Sequence, residues 1–286
     1  MRLEETHWHC KGIAGRGLTG LVTRLRNRRM GASQLSRKLW PKNFGDLRRY
    51  GRDHDGGYVM PASSFLAADS LLSFGLNFDW SFEREFAVAH PGTTIHAYDP
   101  TVGKGRFLRA GFWALLGASY SRREWEKFLA CCDYFRFFQP PIVHFREWIG
   151  AGAGRLGVAA AAARLPSSAA FGLKIDIEGS EYEIFEEIVA LAGRIEFLAI
   201  ELHDVEAHAE EILAFTEKLS ATHVVAHLHG NNYAPLCSDG SMPQSIEVVY
   251  VRRTGAPTEA FAGELPRAGL DQPNNRKFAD AVIRRA

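Results

Sequence analysis

The stretch Gly172-Leu173-Lys174-Ile175-Asp176-Ile177-Glu178-Gly179-Ser180-Glu181 decides how this chain reads. Its first half is a short apolar run suited to a buried strand. Its second half is a glycine turn that leads into the helical pattern of Glu181–Leu191. Strand alternation sends Lys174, Asp176 and Glu178 to one side and Leu173, Ile175 and Ile177 to the other. Three ionisable groups closing a buried strand are costly to desolvate without partners, so they mark a site more readily than packing.

Six further runs of the same kind flank this one: Leu71–Phe74, Thr94–Tyr98, Ile142–Phe145, Phe197–Glu201, Val224–His229 and Glu247–Val251. Amphipathic stretches such as Phe82–Ala89 lie between several of them. Strands rich in apolar residues on both faces, alternating with helices, predict an α/β protein with a mostly parallel sheet covered on both sides. No convincing helix separates the last two runs, so the sheet is expected to end in an antiparallel hairpin.

In such a sheet ligands bind beyond the carboxyl ends of the strands. The first strand runs into Gly75-Leu76-Asn77-Phe78-Asp79, where a glycine lets backbone approach a ligand. The second ends at Asp99, about 20 residues on, placed to accept hydrogen bonds from a ribose diol or to cap a turn. The fifth closes with Glu201-Leu202-His203 and the sixth with His227-Leu228-His229. Asp176, Glu201, His203 and His229 suit a divalent ion with room for substrate oxygen, with manganese, iron and magnesium the candidates. A metal-free network in which His203 or His229 is the general base fits the same residues.

Composition narrows the classes. With 46% hydrophobic and 23% charged residues, the 286-residue chain is neither collagen-like, disulfide-scaffolded nor wholly disordered. A formal charge of +1 gives no general attraction to nucleic acid. Cys10, Cys131, Cys132 and Cys237 form no CxxC pair, which points to reduced thiols in a cytoplasmic protein. No signal peptide opens the sequence, and no apolar run is long enough to span a membrane.

Charge is uneven along the chain. Residues 1–40 hold nine Lys/Arg against Glu4 and Glu5, a segment charge of +7, so the other 246 residues carry −6. That segment reads as a basic, solvated N-terminal arm preceding a domain over 41–286. Its His7, His9 and Cys10 lack a second ligand pair at zinc spacing. Within the domain, 106–148 carry 12 aromatic residues with Arg106, Arg109, Arg122, Arg123 and Arg136 interleaved. A helical insertion over 106–141 is expected, packing its own small core or capping an acceptor site.

Lys174–Glu183 resembles the KIDIEGSE signature of FkbM-type methyltransferases. Asp55-Gly56-Gly57-Tyr58-Val59, Ser73–Gly75 with Asp79–Glu83, Glu201–His203, His227–Asn232 and Leu270–Asn274 resemble further stretches of that family, in the same order, over 48–277. The resemblance implies a class I methyltransferase fold that uses S-adenosyl-L-methionine. It also implies O-methylation of a sugar, nucleotide-linked sugar or similar small metabolite, assisted in some members by a divalent metal. Carried over by position, Gly75 and Asn77 would flank the methionine part of the cofactor and Asp99 its ribose. Asp55, Gly56, Gly57 and Glu178 would complete the cofactor pocket. Asp176, Glu201, His203 and His229 would form the acceptor side, with Asp176, His203 and Lys174 catalytic. Phe78 and Asp79 depart from the second glycine that many methyltransferases have after the first strand.

Two other classes compete. A dehydrogenase or epimerase is disfavoured because no predicted strand is followed by Gly-x-Gly-x-x-Gly and no Tyr-x-x-x-Lys pair occurs. A silent methyltransferase-like binding module would have no reason to keep Asp176, Glu178, Glu201 and His203.

Overall fold

The computed structural model describes residues 32–117, 120–166 and 170–285. His7, His9, Cys10 and most of the expected basic arm lie outside the described residues. Seven strands form one sheet: β1 Ser70–Phe74, β2 Thr94–Tyr98, β3 Ile142–Phe145, β4 Phe171–Ile175, β5 Ile195–Leu202, β6 His223–Gly230 and β7 Ile246–Arg252. Their order is β3-β2-β1-β4-β5-β7-β6, with β7 antiparallel to both neighbours and the rest parallel. This is the Rossmann order with an antiparallel strand slotted between the fifth and sixth, the class I methyltransferase arrangement.

Consecutive residues along each strand enter opposite cores. Leu72, Leu198, Ile200, Val248 and Tyr250 belong to one apolar cluster; Leu71, Phe197, Ala199, Val249 and Val251 belong to the other. Both faces of the sheet are therefore dry, as its apolar runs require. Gly172 admits this packing, because a Cβ there would occupy the space of the Phe197 ring.

Besides two short helices, α2 Ala62–Ala67 and α6 Val158–Ala162, the helices fall close to expectation. Helix α3, Ser81–Ala89, follows β1, and the Asp79 carboxylate just ahead of its Trp80 N-cap accepts the Ser81 N–H at 3.0 Å. Glu181–Ile184 is a tight 3₁₀ turn that continues into α7, Phe185–Leu191. Two features differ. Helix α1, Ala32–Lys38, buries Ala32, Leu35 and the following Leu39 completely, so the folded unit begins near residue 31 rather than 41. A two-stranded hairpin, Leu47–Tyr50 with Tyr58–Pro61, also packs Tyr58 and Met60 into the core outside the main sheet.

The aromatic-rich region forms helices α4, Lys104–Gly117, and α5, Arg122–Phe137, in the crossover from β2 to β3. Phe107 and Tyr134 stack at 4.0 Å between ring centroids, and both rings meet Trp80 edge-on. The hairpin is thus anchored on Leu76, Trp80 and Ala97 of the domain instead of enclosing a separate core.

His223, at the start of β6, is 2% exposed. Its Nε2–H donates to the Ile195 carbonyl at 3.0 Å, and Nδ1 lies 2.8 Å from the Thr222 hydroxyl. This neutral ring is fully satisfied, and burial depresses its pKa from 6.5 to about 4. A depressed folded-state pKa contributes stability that is present above pH 6.5 and lost as pH falls toward 4. The loss should reach roughly 3 kcal/mol by the lower limit. Urea unfolding across that range should show a shallower acid decline in His223→Gln than in the native chain.

Candidate active site

The carboxyl ends of β1 and β4 nearly touch. Gly75 has φ +85°, and a Cβ on it would collide with the carbonyl oxygen of Asp176. Three bonds lock the approach. The Gly75 N–H donates to Tyr98 O at 2.9 Å, and the Asp176 N–H donates to Phe74 O at 2.8 Å. The third runs from Lys174 Nζ to Gly75 O at 2.7 Å. Beyond this junction lies a cavity of about 350 Å³ whose wall includes Gly75, Asn77, Tyr98, Asp99, Thr101, Ile149, Asp176, Ile177, Glu178 and Ser180. It sits across the ends of β1, β2 and β4, where the crossovers diverge and an open α/β sheet takes its ligand.

Several anticipated residues do something other than line this wall. Lys174 is 5% exposed, and its ammonium serves Gly75 O and lies 3.6 Å from buried Glu83, which hydrogen-bonds the Ser73 hydroxyl. It positions the β1 turn and is not part of the cavity wall. Asp99 does line the cavity, but its Oδ2 accepts the Leu76 and Asn77 N–H groups at 3.0 and 2.8 Å. Its Oδ1 accepts the Thr101 N–H and hydroxyl. With the Val102 N–H at 3.3 Å as a fifth donor, the carboxylate shapes two turns. Burial would raise its pKa, but these donors hold it below the usual carboxylate range.

Asp55, Gly56 and Gly57 form the turn of the Leu47–Pro61 hairpin and do not line the cavity. Gly56, at φ +90°, leaves space for the Asp79 carboxylate, which pairs with Arg52 at 3.0 Å. Asp55 Oδ1 accepts a long 3.4 Å bond from Asn274, which also donates to Glu247 at 2.8 Å. The tail around Asn274 is thereby tied to both the hairpin and β7.

Asp176, Glu178 and His203 come together, each offering a ligand atom within 4.8 Å of the others. His203 Nδ1 bonds Glu181 Oε1 at 3.0 Å, while Nε2 faces Glu178 at 3.6 Å and Glu201 at 3.7 Å. Glu181 is wholly buried, and its Oε2 has no hydrogen-bond partner. Burial would lower the His203 pKa, but the Glu181 bond and the Glu201 carboxylate raise it above the ordinary value. Burial raises the pKa of both Asp176 and Glu201; the Glu178 charge adds to the first, and the Asp176 and Glu247 charges add to the second.

Glu201 and His229 are placed differently from the sequence expectation. Glu201 Oε1 accepts from Asn231 at 2.7 Å and from Ser245 at 2.6 Å, so it borders the cluster from the sheet side. His229 is separate: Nδ1 meets Glu247 at 3.2 Å and Nε2 meets Asp280 at 3.0 Å. With both nitrogens engaged, His229 has no atom to offer the Asp176–His203 group.

Two contributors escaped the sequence reading. Glu181 belongs to the quoted signature, but only folding shows that it orients His203. Tyr58 is wholly enclosed, close enough to Asp176, Glu201, Glu247 and Asp55 for all four carboxylates to bear on its hydroxyl. In the sequence Tyr58 stands within the quoted Asp55–Val59 stretch, with no role assigned to it.

No family model matches the chain, and no curated protein does. Among solved structures, a precorrin-6y C5,15-methyltransferase from Geobacter metallireducens aligns at 11% identity with a TM-score of 0.34. The alignment covers 66% of this chain and 83% of that one. The strand order, and not so distant a likeness, identifies the fold.

Gly75→Ala should push the β1 and β4 ends apart. Thermal unfolding should show a loss of about 1–3 kcal/mol, and the variant should bind the cavity's ligand at least tenfold more weakly.

Proposed function

We propose that this chain is an S-adenosyl-L-methionine-dependent O-methyltransferase acting on a hydroxyl of a sugar, nucleotide-linked sugar or similar small metabolite, with a divalent ion beside the acceptor. The observation that carries the reading is the adjacency of the β1–β4 cavity to the Asp176–Glu178–His203 cluster. The resemblance of Lys174–Glu183 and its companion stretches to FkbM-type methyltransferases supports it from the sequence side.

The residues present fit the cofactor. The cavity combines apolar wall from Tyr98, Ile149 and Ile177 with the polar edge of Asn77, Thr101 and Ser180, a mixture suited to a nucleoside with a charged tail. Glycine at 75 keeps backbone as the surface there. When bound, the sulfonium cofactor supplies an electrophilic methyl carbon for in-line displacement by an acceptor oxygen. The protein's tasks are then to align that oxygen and remove its proton.

The donor set also fits a divalent ion. Two carboxylates and an imidazole form an oxygen-rich set of the kind manganese, iron or magnesium takes. The Nδ1–H bond to Glu181 leaves Nε2 directed at the other ligands, as a carboxylate-oriented metal histidine requires. A divalent ion held there by Asp176, Glu178 and His203 would supply Lewis acidity to the acceptor hydroxyl. Glu201 lies behind the set, fixed by Asn231 and Ser245, and steadies the charge around His203.

Calorimetric titration of S-adenosylhomocysteine into EDTA-treated protein, repeated with manganese, tests both parts. Micromolar binding of the homocysteine derivative is expected with and without metal. A separate heat from manganese should be lost in His203→Ala, which removes a ligand, and strongly weakened in Asp176→Asn, which removes a ligand's charge. Those variants should keep the cofactor affinity and lose methyl transfer to sugar acceptors. No binding of S-adenosylhomocysteine under either condition would sink the reading.

A further inference from the structure

Helices α4 and α5 leave a large apolar surface uncovered. Leu108, Phe112, Trp113, Leu115, Leu116 and Trp125 are each between 46% and 68% exposed, all on one helical hairpin. Scattered single hydrophobics are normal on a protein surface, whereas so many large ones on adjoining turns mark an interaction site. Between the helices runs a groove of about 280 Å³ whose lining from Phe107 to Phe135 is almost wholly apolar. Gly111 permits it, since the two backbones approach closely where Gly111 meets Cys131.

Cations outnumber anions on this hairpin: residues 104–137 hold seven Lys/Arg against Glu124, Glu126 and Asp133, all three of them on α5. From residue 101 to residue 123 the chain holds five Lys/Arg and no Asp or Glu. Lys104, Arg106 and Arg109 are exposed along the same helix as the apolar side chains, and Arg106 lies over the Phe78 ring at 4.4 Å. Large apolar and indole side chains flanked by cations are the composition of a helix that lies in a membrane interface. Helix α4, at 14 residues, is too short to cross a bilayer, and no described helix is long and apolar enough to do so.

We propose that the outer face of the α4–α5 hairpin docks on an anionic lipid bilayer. The aromatic and leucine side chains enter the headgroup–acyl boundary, acyl chains occupy the apolar groove, and the α4 cations meet lipid phosphates. Thr101 of the cavity wall lies three residues before α4, so docking would hold the cavity rim near the lipid surface.

The test is sedimentation of the full chain with vesicles of phosphatidylcholine alone and of phosphatidylcholine mixed equally with phosphatidylglycerol. Binding is expected only with the anionic vesicles, with a blue shift of tryptophan emission. Phe112→Ser, Trp113→Ser and Leu116→Ser combined should weaken it at least tenfold, as should Arg106→Glu with Arg109→Glu. All five side chains are exposed, so circular dichroism and S-adenosylhomocysteine affinity should not change. Retained binding in the apolar triple variant would overturn the proposal by placing attachment elsewhere, on the basic N-terminal segment for example. Equal binding to neutral vesicles would also overturn it. So would a vesicle-free dimer in light scattering that the triple variant disperses.

Discussion

The close approach of β1 and β4 at Gly75 and Asp176 is the constraint on which the rest depends. Two parallel strands end side by side, and the chain must leave one for α3 and the other for the Glu181 turn. With no Cβ at 75, the turn can fold over the Asp176 carbonyl. Lys174 then reaches from inside β4 to the Gly75 oxygen, so a buried cation bonds the two turns together. The cavity exists because the crossovers separate beyond this tie. Asp99 performs the matching task one strand over, drawing Leu76, Asn77 and Thr101 around its carboxylate.

A second constraint is electrostatic. Glu201, Glu247 and His229 lie in register across β5, β7 and β6, and Asp176 follows the last residue of β4 beside them. Buried carboxylates in such a row repel one another unless each has a partner. The structure distributes partners unequally. Glu247 has His229 and Asn274, and its pKa falls despite burial; Glu201 accepts hydrogen bonds from neutral Asn231 and Ser245, with His203 at 3.7 Å, and rises. Asp176 is left facing the cavity with a raised pKa. Strand pairing therefore gives each carboxyl group a different chemistry.

Much of this was legible in the residues. The seven apolar runs appear as strands within a few positions, because a strand buried on both faces must be apolar throughout. Asp176, Glu178 and His203 stood out because charge at the end of such a strand needs a reason. Lys174 met the same test, and its ammonium ties the Gly75 carbonyl within the fold, a contact that sequence does not distinguish from a catalytic role. His229 shared the alternation of His203 but ended between Glu247 and Asp280, a carboxylate 51 residues away along the chain.

Local pattern by itself determined the strands, most helices, the glycine turn and the presence of a charged site at strand ends, because alternation and burial act over a few residues. Only the tertiary structure decided that β7 slots antiparallel between β5 and β6, which sets Glu247 opposite Glu201. It also decided that Glu181 turns back onto His203, that Asp99 spends its oxygens on backbone, and that α4 and α5 leave one apolar face open. Each of these depends on a partner distant in sequence, and on which face of an element meets that partner, which local pattern does not record.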